Sequence, residues 1–67
     1  MKKYLIIDEV GADIWTEEHE TKEKAIAAAN KEWDALTEHD KNRRISFYIL
    51  ETEDPNSLDG DIIKEYK

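Results

Sequence analysis

The chain reads as a single small α+β domain spanning residues 1–67, with the order ββαββ: one antiparallel sheet of about four strands and one helix packed on one face. Three observations predict this class. The segment TKEKAIAAANKEWDAL, from Thr21 to Leu36, carries a helical repeat. Two runs rich in β-branched and aromatic residues precede it and two follow it, at Lys3–Ile7, Ile14–Glu18, Arg44–Glu53 and Asp61–Tyr66. Turn chemistry separates the members of each pair, with Gly11 in the first and DPNSLDGD, which holds the only proline, in the second.

The first run is apolar on both parities, Leu5 and Ile7 on one side and Tyr4 and Ile6 on the other, as a central strand requires. A short connection through Val10–Asp13 makes the second strand its antiparallel hairpin partner. The helix follows His19 and Glu20. Its stripe is Ile26, Ala29, Trp33 and Leu36, with Ala25 beside it; Lys24, Lys31, Asp34 and Glu38 lie on the solvated side. Thr21 supplies the N-cap, and the alanines let the helix lie close to a sheet while Trp33 provides bulk. Thr37-Glu38-His39-Asp40 forms a second capping signature, which predicts a further helical or 3₁₀ turn before Asn42. The longest strand alternates Ile45, Phe47 and Ile49 with Ser46, Tyr48 and Leu50, and Asp61–Tyr66 returns antiparallel to it.

A helix on one side leaves the other side open. Assigning Leu5, Ile7, Ile14, Phe47 and Ile49 to the helix leaves Tyr4, Ile6, Trp15, Tyr48, Leu50 and Tyr66 on the open face, an aromatic patch and the candidate interface.

Charge narrows the partners. The net charge is −7, and residues 1–20 and 45–67 each hold two lysines against six acids. Phosphate recognition needs a positive footprint, so neither nucleic acid nor an anionic membrane is expected as a partner. Lys41, Arg43 and Arg44 read as charge near the negative end of the helical segment. MKKYLII is followed at once by Asp8 and Glu9, so it reads as a strand rather than a signal peptide or membrane span, and a cytoplasmic location is expected.

No catalytic constellation can be assembled. There is no cysteine, and His19 and His39 stand far apart beside acids, as surface histidines do. Ser46 and Ser57 lack a nucleophile-elbow setting, and two glycines cannot build a phosphate cradle. Asp54, Asn56 and Glu65 fall at EF-hand positions, but Leu58 and Asp59 occupy places that need an oxygen ligand and a glycine. No enzyme activity, cofactor or metal is expected.

The phrases KYLIIDE, IWTEEHETKEKAIAAA, LTEHDK after Trp33, FYILE and DGDIIK together resemble a family of short proteins of gut-dwelling Firmicutes that has no assigned activity and implies no site residues. A strand hairpin followed by Thr21, Glu23, Ala25 and Ile26 is also similar to the first half of HicB-type antitoxins, without their DNA-binding tail. The expected function is a protein–protein interaction module, a homodimer among its forms. The alternative is an antitoxin-like or nucleic-acid-mimicking acidic inhibitor that covers a basic partner through Glu17, Glu18, Glu51 and Glu53.

Overall fold

The computed structural model describes residues 2–57 and 59–67. Its elements are β1 (Lys3–Val10), β2 (Asp13–His19), α1 (Lys22–Asp34), α2 (Glu38–Arg43), β3 (Arg44–Asp54) and β4 (Asp59–Glu65). The strands form one antiparallel sheet in the order β2-β1-β3-β4, and α1 lies across one side. The α+β class, the ββαββ order and the four-stranded antiparallel sheet are those expected from the sequence. Leu58, part of the expected loop, lies outside the described residues.

Both hairpins follow from local chemistry. β1 and β2 are joined by Gly11 and Ala12 alone, and Gly11 takes φ +59° at the first central position, where hairpin turns of the primed types need glycine. In the second hairpin the Asp54 carboxylate accepts the Asn56 N–H at 3.0 Å, and Ser57 Oγ donates to the Asp54 carbonyl at 3.0 Å. Gly60 is required by space: a Cβ there would lie 2.0 Å from the Glu51 carbonyl oxygen. Gly60→Ala is therefore expected to force β4 away from β3 and cost about 1–3 kcal/mol, read as a lower urea midpoint.

The helices start at caps. Thr21 Oγ1 accepts the Lys24 N–H at 3.2 Å, and Thr37 Oγ1 accepts the Asp40 N–H at 3.1 Å. The second signature opens a full α-helical segment that runs to Arg43. Arg44 then anchors this corner: its Nε and Nη2 donate to the two Asp8 carboxylate oxygens at 3.2 and 3.3 Å, and Nη1 donates to the Asp40 carbonyl at 3.0 Å. That forked pairing explains how β1 continues through Asp8, where the charge is answered inside the fold.

The register settles which residues share a face, and it reverses the expected phase of β1. Leu5 stands opposite Leu50 and Ile7 opposite Tyr48, whereas Ile6 stands opposite Ile49 and Asp8 opposite Phe47. The helix therefore covers Ile6, Phe47 and Ile49, with Ala25 and Ala29 fully buried against them and Tyr4, Ile26, Trp33, Ile63 and Tyr66 packed around. Leu5 and Ile7, expected under the helix, lie on the opposite side with Leu50 and Tyr48. Ile14 faces that side too, since it pairs with Glu9, which shares the parity of Leu5 and Ile7.

Candidate functional site

The side of the sheet without a helix forms four rows across the strands, one of Lys3 and Thr52 and three that hold its apolar side chains, in which the β2 residue is given first. Thr16, Ile7, Tyr48 and Glu65 make the middle row; Glu18, Leu5, Leu50 and Ile62 make the next; Ile14, Glu9 and Ser46 make the row nearest the β1–β2 turn. Leu5, Ile7 and Leu50 are 3–4% exposed, because they lie on the two central strands and their neighbours crowd over them. The apolar surface reaching water is at the edges: Ile14 is 56% exposed, Ile62 is 52% exposed, and Tyr48 is half-buried. Glu9, Glu18 and Glu65 make the surround acidic.

Of the six candidate interface residues, only Tyr48 and Leu50 lie on this face. Tyr4, Ile6 and Tyr66 belong to the helix side, and Trp15 shares that side as the partner of Asp8, which itself faces Phe47. The open face is thus aliphatic with one tyrosine. The aromatic residues cluster under the helix, where the ring centroids of Trp33 and Phe47 are 5.3 Å apart, and Tyr66 meets Phe47 edge-on at 5.2 Å and Trp33 at 5.8 Å. Tyr66 is drawn inward at both ends: its N–H donates to the Phe47 carbonyl, and its hydroxyl donates to Asn30 Oδ1 at 2.6 Å. Trp15 stands outside this cluster and is 66% exposed.

The acids proposed as a decoy surface divide in the same way. Glu17 and Glu18 point to opposite faces by strand alternation, and Glu51 is held by Lys2 Nζ at 3.0 Å. Lys2 and the Tyr4 hydroxyl together keep the Glu51 carboxylate below the usual range. The acid-rich groove at the second hairpin is lined by Glu51, Glu53, Asp54 and Asp59 among others, and its Asp54 oxygen is committed to the turn. Among the described residues no group of three or more His, Asp or Glu side chains is placed to hold a metal ion.

One charge cluster was not visible in the sequence. Glu32 on α1 and Glu17 on β2 are close enough to couple their charges, and His19 Nε2 lies 3.3 Å from Glu17 Oε2. Partial burial, then the shared proton and charge of Glu17, with Asp8 adding to them, push the Glu32 carboxyl up to about 7, while Glu17 is held down chiefly by accepting from Glu32. The folded state thus binds the Glu32 proton more tightly than the unfolded chain does. Its stabilisation is complete below the ordinary carboxyl pKa and is lost as pH rises through about 7. Glu32→Gln keeps the donor and removes the charge. It should raise the thermal midpoint at pH 8 and flatten the decline between pH 5 and 8, an effect of at most about 1 kcal/mol for so exposed a pair.

Comparison with known protein families, characterised proteins and solved structures finds no match to this chain. Among the described residues no helix is long and apolar enough to cross a membrane.

Proposed function

We propose that the chain is a non-enzymatic interaction module of the bacterial cytoplasm, and that it pairs with a second copy through the open face of its sheet. The observation that carries this reading is the apolar row Leu5, Leu50 and Ile62, joined by Ile7, Tyr48 and Ile14, on a face that no helix covers among the described residues. The domain is a slab with extents of 36 × 24 × 14 Å, so its broad face is of the size, roughly 800 Å² per partner, that a stable interface takes. Two such faces packed about 10 Å apart would make a sandwich of sheets with the helices outside. Burying Ile14 and Ile62 supplies the driving force, and repulsion between the acidic surrounds opposes it.

The expected result is a molar mass that rises from one chain towards two with concentration, more readily at high salt because the surrounds are screened. Ile14→Glu and Ile62→Glu should each weaken pairing tenfold or more while circular dichroism stays unchanged, since both side chains are already half in water. Pairing that survives both substitutions would remove the open face from the account.

A second reading is favoured by the acids Glu9, Glu18 and Glu65 around that face. It makes the chain an acidic inhibitor that docks on a basic partner protein. The two readings differ in sign, because salt strengthens pairing of like-charged copies and weakens binding to a basic partner.

A further inference from the structure

The two edges of the sheet are built differently. β4 meets β3 with two register shifts, between Ile49 and Leu50 and between Glu51 and Asp54, and such irregularities twist an edge out of line. β2 runs against β1 through seven consecutive pairs, from Val10–Asp13 to Tyr4–His19, with no shift at all. The two-residue turn makes Val10 and Asp13 the closing hydrogen-bonded pair, so Asp13, Trp15, Glu17 and His19 turn their backbone groups towards β1. Ile14, Thr16 and Glu18 turn theirs outward, and among the described residues no strand lies beyond them. This straight row is flanked by exposed β-forming side chains, Ile14 towards the open face and Trp15 towards the helix side.

What would occupy that edge is set by charge. Asp13, Glu17 and Glu18 line it, and among the described residues no lysine or arginine pairs with Asp13 or Glu17, while Lys3 approaches Glu18 only to 4.0 Å. In the fully overlapping antiparallel register a second copy of β2 would set Glu18 opposite Ile14 and Glu17 opposite Trp15, so neither glutamate would meet a base and the charges of two acidic strands would be brought together. An extended segment with lysine or arginine opposite the acids and aliphatic residues opposite Ile14 and Trp15 meets every side chain with its complement. We propose that the outer edge of β2 takes up such a basic, extended segment of a protein partner as a fifth, antiparallel strand. This site shares the side chains of Ile14 and Glu18 with the open face, but it is made by the outward backbone groups of β2 and does not depend on pairing there.

The test is an amide NMR titration of the full chain with the capped peptide Thr-Lys-Arg-Thr-Val-Ile-Lys, which sets its second and third residues opposite Glu18 and Glu17. The expected result is large shifts and slowed hydrogen exchange at Ile14, Thr16 and Glu18, with affinity falling tenfold or more for a peptide whose Lys and Arg are replaced by Glu. Thr16→Pro should abolish these effects while the fold is kept, because the Thr16 N–H faces outward and proline is tolerated at such edge positions. If the proline variant does not fold, Glu17→Lys combined with Glu18→Lys serves instead, and it should lose the basic peptide and take up the acidic one. Three results would overturn the proposal: no response at millimolar peptide, shifts confined to Leu5, Ile7, Leu50 and Ile62, or peptide-free protection of Ile14, Thr16 and Glu18 that grows with protein concentration. The second would place binding on the open face and the third would assign the edge to a second copy, so failure here is distinguishable from failure of the pairing described above.

Discussion

Ile49→Ala is expected to cost about 3–4 kcal/mol, a third or more of the stability of the domain. Ile49 is fully buried on β3, between Ile6 on the neighbouring strand and the two alanines of α1. Removing three carbons there leaves a cavity that the helix cannot fill, because Ala25 and Ala29 have no side chain to extend into it. A chain of this length has about 3–10 kcal/mol in total, so the variant should be largely unfolded in dilute urea. Ile49→Val, which keeps most of the volume, should cost only about 1 kcal/mol. A urea midpoint for Ile49→Ala within about 1 kcal/mol of the original would mean that the helix does not close over this strand.

Trp33→Ala is the second large effect, expected at about 3 kcal/mol. Trp33 lies at the last turn of α1, packs on Phe47 and Tyr66, and carries Lys41 Nζ 5.3 Å from its ring centroid. It is only partly buried, which sets the loss at the lower end of the range for a buried tryptophan. Trp15→Ala makes the internal comparison. The same side-chain deletion on an exposed edge should change stability by no more than about 0.5 kcal/mol. The two are separable by fluorescence: in Trp15→Phe the remaining emission should be blue-shifted and should move to the red on unfolding. Equal costs for the two alanine variants would contradict the placement of Trp33 in the core.

How far the fold was legible depended on whether the signal was local. The helix could be read from its own spacing and its Thr21 cap, and the hairpins from Gly11 and from the Asp54–Gly60 turn. The relative phase of the two central strands could not, because β1 and β3 are each apolar on both parities and either phase buries aliphatic side chains. The one cue was Asp8. A carboxylate at that position has a partner only if it shares a face with Arg44 and Phe47, which places Ile6 under the helix and Leu5 and Ile7 on the other side. Tyr66 was misplaced for a related reason: the register shift between Ile62 and Lys64 changes the phase of β4, so that Lys64 stands opposite Ile49, Glu65 opposite Tyr48, and Tyr66 falls beside Phe47, where Asn30 and the aromatic cluster hold it. Glu17 on β2 and Glu32 on α1 meet only because the helix folds back over the sheet, and nothing in their spacing announces it. The open face was therefore expected correctly as a feature of the architecture, but most of the residues on it were the complement of those expected.

Pairing of two copies through this aliphatic face would show in solution mass. The most direct measurement is molar mass by light scattering over a hundredfold range of protein concentration, at low and at high salt, for the unaltered chain and for Ile62→Glu. The expected result is a monomer–dimer equilibrium that tightens with salt and is lost in Ile62→Glu. A single-chain mass at every concentration and both salt levels would contradict it.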